Sequence, residues 1–178
     1  MTRTHITPHP RLFENAAIAL ATLVFGIMAG FFWTYSFNVN LAMLNVDGAT
    51  YATVQSLFNE NVRHFMFFSF FFGGGIFSAL ALVINWKHWK SPAFIMLALA
   101  FLIYGLGIIL FTARVNLPLN YYTESWDPLN LPADWSQVRA QWNSANYLRV
   151  GTSGLAFILA LFALLVRTSL PNSGQKLA

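Results

Sequence analysis

The chain has 178 residues, of which 57% are apolar, 17% aromatic and only 9% charged, with a net charge of +4 and no cysteine. Soluble domains carry about 25% charged residues, so this composition excludes an ordinary globular protein. The missing cysteines exclude disulfides, thiolate nucleophiles, iron–sulfur ligation and cysteine zinc sites.

Residues 1–11, with two prolines and no apolar periodicity, read as a cytoplasmic tail. The first apolar run, residues 14–37, is longer than a signal-peptide core of about 7–15 residues, so a retained helix is expected. Its Gly26 and Gly30 have the spacing that lets membrane helices approach closely. The helix is expected to run on towards Leu44 and to stop at the Asp47-Gly48 turn. Thr50 then caps a second helix over Tyr51–Trp86, whose membrane part is 65–86. At ~1.5 Å per residue it is longer than a ~30 Å hydrocarbon layer, so its first turns stand outside. A short basic loop flanked by Trp86 and Trp89 leads to Pro92, which suits the first turn of a third span, 92–113. The Leu117-Pro118 step is expected to break that helix and to open an irregular loop over 115–134, rich enough in aromatics to form an ordered cap. Asp134, with Gln137 as capping-box partner, starts a last helix over Trp135–Thr168. Its membrane part is 147–166, and 169–178 form a second cytoplasmic tail.

The fold class is therefore all-α: an integral membrane four-helix bundle filling residues 12–168, with helices 2 and 4 extending beyond the outer face. Arg3, Arg11, Lys87, Lys90, Arg167 and Lys176 flank one face with only Glu14, whereas the other face mixes four arginines with five carboxylates. The positive-inside rule puts both termini in the cytoplasm of a bacterial inner membrane. The basic excess is thus a topology signal, and no nucleic-acid partner is expected.

Polar groups from separate spans fall at one depth near the outer boundary. On the last helix, Arg139, Trp142, Asn146, Arg149 and Ser153 recur at alternating intervals of three and four and share a face. An arginine at hydrocarbon depth costs about 2.5–3.5 kcal/mol, so Arg149 should turn inward to a partner, and Glu60 is the expected counter-charge. Glu60 and His64 are helical neighbours, as are Asn59 and Arg63. Asn38 and Arg114 complete the ring. The bland reading of each residue is an interfacial tie to lipid phosphate or loop; a shared pocket is favoured because all four helices contribute. His64 has no second histidine for haem, and with Glu60 it offers two metal ligands where three are usual. No metal or other cofactor is expected, and His64 is instead a candidate general base oriented by Glu60. The run Phe65–Phe72 beneath this patch would offer flat surfaces to a quinone-like ligand wherever it faces inward.

The segment FTARVNLPLN (111–120), followed by Trp135, Trp142-Asn143, Asn146 and Arg149, resembles the anthrone oxygenase-like family of small four-helix membrane proteins. The resemblance implies the fold first. It also suggests, through relatives implicated in oxidising anthrones to anthraquinones, a cofactor-independent oxygenase of hydrophobic aromatics. The matching positions are Asn116, Pro118, Asn120, Trp142, Asn143, Asn146 and Arg149. The expected catalytic residues are His64, Arg149 and Glu60, with Asn38, Arg63, Arg114, Asn116, Asn120, Trp142, Asn143 and Asn146 binding substrate. The rival reading is a non-catalytic accessory subunit, in a homo-oligomer or a larger membrane complex. A transporter fits less well, because no charge lies at mid-membrane.

Overall fold

Apolar runs of this length satisfy their backbone N–H and C=O groups in lipid only by coiling on themselves. The structure, a computed structural model, describes residues 10–169, with side chains from Leu12 onward, and is all-helical, with no strand among the described residues. Four helices are long and apolar enough to cross a bilayer, which makes the chain a multi-pass integral membrane protein. The expected tails lie outside the described residues except for 10, 11 and 169.

Helix α1 (Leu12–Met43) is an α-helix that widens into a π-turn at Tyr35–Val39 and closes with Asn40–Met43. Helix α2 (Gly48–Asn61) is short and lies beyond the end of α1. Helices α3 (Phe65–Ile84), α4 (Pro92–Glu124) and α5 (Trp135–Ser169) follow. At ~1.5 Å per residue α5 is roughly 50 Å long, so it outruns the hydrocarbon as expected.

Three expectations are corrected. The single helix over Tyr51–Trp86 is two helices, because the chain leaves helical geometry between Asn61 and Phe65. His64 takes an extended conformation (φ −122°, ψ 164°), and its Nδ1 accepts the Phe67 N–H at 3.4 Å as a cap. No glycine or proline marks this break; a side chain that can accept an N-terminal amide is enough. Pro118, in turn, does not break α4. The turns before it, Gly105–Leu110 and Thr112–Asn116, are π-helical. Such widening makes room for a ring that has no N–H and would collide with the carbonyl four residues back. The irregular stretch therefore shrinks to 125–134. Lastly, Asp47 rather than Thr50 caps α2: its Oδ1 accepts the Thr50 N–H at 2.9 Å and its Oδ2 the Thr50 hydroxyl at 3.1 Å.

These hydrogen bonds hold the Asp47 carboxyl below the usual carboxylate range. A lowered folded-state value means the cap contributes above the unfolded value, about 3.9, and fades as pH falls through the folded one. The Thr50 amide should be protected relative to its intrinsic exchange rate at neutral pH and lose that protection only in strong acid. Asp47→Ala should remove the protection at every pH.

The four spans pack in a ring, with α5 lying along α1 and α4, and α3 along α1 and α4 but not close along α5. With lipid outside, no hydrophobic drive holds helices together, so close fit must do it. Ala156, Ala160 and Ala163 of α5 are fully buried, and Phe25 meets Tyr104 with ring centroids 4.8 Å apart. Gly74 lies so close to α4 that a methyl there would come within 2.5 Å of the Tyr104 ring. Of the Gly26/Gly30 pair, only Gly26 meets a neighbour, Phe157, while Gly30 faces open space. Leu23, Ile76, Val83, Leu102 and Leu106 cover the outer surface, as lipid contact requires.

The end holding Leu12 and Ser169 is clasped. Glu14 pairs with Arg167, lies 3.5 Å from His88 Nε2, and accepts the Asn85 side-chain amide on its backbone carbonyl at 3.2 Å. At the opposite end the 125–134 segment packs back on the helices. Trp126 packs on Tyr51, and Arg139 lies over Trp135 and donates to the Met43 carbonyl at 3.3 Å. Asp134 accepts from the Tyr122 hydroxyl at 3.0 Å instead of capping α5 with its side chain.

Candidate functional site: an aromatic cavity around one buried arginine

Because α3 starts afresh at His64 and stands off α5, a gap remains between α1, α3, α4 and α5 at the end away from the Glu14 clasp. It is a cavity of about 320 Å³, at the small end of the ~300–1,000 Å³ usual for ligand sites. Phe67, Phe68, Phe71 and Phe72 of α3 line one side. Tyr35, Ile109, Thr112 and Ala113 come from or between the widened turns of α1 and α4, and Trp142, Asn146 and Arg149 from α5. π-turns re-aim side chains that a regular helix would bury, and they are frequent at functional sites. Phe31, Phe68 and Phe72 are also partly exposed on the outer surface, so the cavity borders the lipid side.

The one charged group buried in this lining is Arg149, 8% exposed. Its Nη2 donates to Asn146 Oδ1, and its guanidinium lies 4.8 Å over the Phe32 ring and 5.6 Å over Trp142. Nε has no partner, and no carboxylate among the described residues forms an ion pair with it. Asn146 is itself held, its Nδ2 donating to Ser36 Oγ at 2.5 Å. Burial of an unpaired cation is expensive, and the aromatic faces and one amide offset only part of that cost.

The Glu60 partnership does not form. Glu60 is exposed on α2, and Arg149 makes its polar contact to Asn146 instead. The break at 62–64 ends the helical phase that linked Glu60 to the third helix. The carboxylate at this end that does pair is Glu124, with Arg63 at 3.0 Å, beside the Tyr121 ring 5.4 Å away. Of the expected site residues, the fold brings Arg63, Asn120, Trp142, Asn146 and Arg149 together around the cavity. His64, Asn38 and Arg114 are exposed and, like Glu60 and the half-buried Asn143, do not line it. Asn116 is wholly buried in the π-turn of α4 with neither amide atom partnered, and it too is outside the lining.

Sequence reasoning gave Tyr35 and Asn59 no role, yet both line the cavity. The Tyr35 hydroxyl donates to Gln55 at 3.4 Å, Gln55 to Asn59 at 3.0 Å, and Asn59 to Thr123 at 3.2 Å. Trp142 Nε1 donates to Asn120 Oδ1 at 2.6 Å. The signals available in the sequence are the spacing of Asn59 with Arg63 and, for Tyr35, its place level with Asn38 at the outer end of the first span.

An all-helical membrane protein with an aromatic cavity and a lone buried cation is the class that this geometry defines. The anthrone oxygenase family model matches residues 62–159, more than half of the chain, and the chain belongs to that family. The matched segment carries Arg63, Asn120, Trp142, Asn146 and Arg149. No curated protein and no solved structure matches the chain.

Proposed function

We propose that the cavity binds a flat, lipophilic aromatic ketone or phenol from the membrane, of the anthrone type, and promotes its oxidation by oxygen. The observation that carries this reading is Arg149, an unpaired cation set among aromatic faces in a cavity bordering lipid. In this reading the guanidinium receives the oxygen of the ligand while the phenylalanines stack on its rings. The family membership supports the same choice.

An anthrone loses a proton from the ring carbon opposite its carbonyl, and the charge moves to the carbonyl oxygen, where Arg149 stabilises it. Oxygen adds at that carbon and, with a proton, gives a hydroperoxide; loss of water leaves the second carbonyl. The sum is anthrone plus oxygen giving anthraquinone plus water. The free amide nitrogen of Asn120 offers a second donor, whereas both ends of Asn146 are taken up in holding Arg149. The positive-inside rule places Lys87, Lys90 and Arg167 in the cytoplasm and the cavity towards the outer side of a bacterial inner membrane.

The test is quinone formation from anthrone by the purified protein in detergent, with oxygen uptake followed alongside. Wild type should exceed spontaneous oxidation. Arg149→Gln should lose about 100-fold, the usual cost of an oxyanion donor, and Arg114→Gln should be unaffected. A loss with His64→Ala as large as that with Arg149→Gln would make His64 the base, reaching the ligand through movement of the 62–64 turn. No rate above background, with a stoichiometric partner co-purifying, would favour an accessory subunit instead.

A further inference from the structure

We infer that the cavity selects the ionised form of its ligand, so that an acidic aromatic releases its proton to solvent on binding and sits as an oxyanion against Arg149. This deepens the reading above and rests on the same cavity, but it concerns the charge state of the ligand and not the reaction with oxygen.

The warrant is electrostatic. The charged or titratable side chains around the cavity are Arg149, Tyr35, Arg63 and Tyr121, and Arg63 is already paired with Glu124. No Asp, Glu or His lines it. An anionic ligand would therefore give Arg149 the counter-charge that the protein itself withholds, in surroundings where the attraction is little screened. A neutral ligand of the same shape would leave the guanidinium Nε and the ligand oxygen with one ordinary hydrogen bond between them. Asn146, locked between Ser36 and Arg149, fixes the cation so that little ordering is left for the ligand to impose. The arrangement also explains how a cavity without a carboxylate or histidine in its lining could begin with an acidic substrate: the proton goes to water, and the pocket supplies the stabilisation of what remains.

2-Naphthol is a suitable probe, because the naphthol and naphtholate forms have distinct absorption and emission and no oxygen chemistry is needed to see them. Titrated against pH with the full chain in detergent, the bound probe should ionise at least one pH unit below the free probe, a tenfold or greater preference for the anion. Arg149→Lys should keep most of the shift, and Arg149→Gln should lose it. Asn146→Asp provides a variant that keeps the arginine and supplies an internal carboxylate; it too should abolish the shift, and Arg114→Gln should leave it intact. A bound probe that ionises at its free value in wild type would overturn the inference, as would a shift that survives both Arg149→Gln and Asn146→Asp. Anthrone oxidation without a naphthol shift would sink the ion-selecting site and leave the proposed oxidation standing. A naphthol shift without any anthrone turnover would do the reverse.

Discussion

Arg149→Met should yield a protein that is more stable without ligand and unable to bind an acidic aromatic. Arg149 is 8% exposed and has no carboxylate partner among the described residues, so folding carries the desolvation of its guanidinium, several kcal/mol, with little return. Losing the contacts to Phe32 and Trp142 costs about 1 kcal/mol each, and leaving Asn146 Oδ1 unpaired costs about 1–3 kcal/mol. Replacing buried ionic groups by apolar residues of similar volume is often stabilising, by about 1–4 kcal/mol, so methionine should raise Tm, at about 2–4 °C per kcal/mol in a chain of this size. The measurement is thermal unfolding of both proteins in one detergent, free and with 2-naphthol. Only wild type should gain stability from the probe. A methionine variant less stable than wild type would show that the arginine is a structural tie. A gain in stability with loss of binding is what a site held against the interest of the fold should show.

Gly74→Ala should be the most damaging single methyl in the bundle. The added carbon would lie 2.5 Å from Cζ and 2.6 Å from Cε1 of Tyr104, and the ring cannot swing away without giving up the hydrogen bond from its hydroxyl to the Phe71 carbonyl, 2.9 Å. α3 must then move off α4, at about 1–3 kcal/mol for overpacking and about 1 kcal/mol for the lost bond. Because α3 carries one wall of the cavity, binding should weaken with stability. Tyr104→Leu alone should destabilise, but combined with Gly74→Ala it should recover part of the loss, which a double-mutant cycle would read as coupling. Strictly additive effects would mean that the two helices are not in contact there.

The spans were readable because crossing lipid demands an unbroken apolar run, a property that needs no knowledge of tertiary neighbours. The buried face of α5 was readable for a related reason: Trp142, Asn146, Arg149 and Ser153 repeat with the helical period, and all four are buried. What escaped was decided by local competition between hydrogen bonds. The break at His64 depends on an imidazole accepting an amide, and the passage of α4 through Pro118 depends on π-turns, for which no residue pattern is diagnostic. Both shifted the helical phase of what precedes them. Glu60 therefore does not meet the arginine that an unbroken helix would bring to it, while Glu124 closes on Arg63 from a helix where Pro118 suggests a loop. Tyr35 entered the cavity through a third such turn.

The Glu14 clasp has a mechanical consequence. Three helices of the bundle are pinned at one tip by Glu14 and its neighbours, and at the other tip Arg139 of α5 holds the last carbonyl of α1. α1 and α5 are thus fastened above and below the residues that face the cavity, so its arginine side is a fixed wall bounded by two ties.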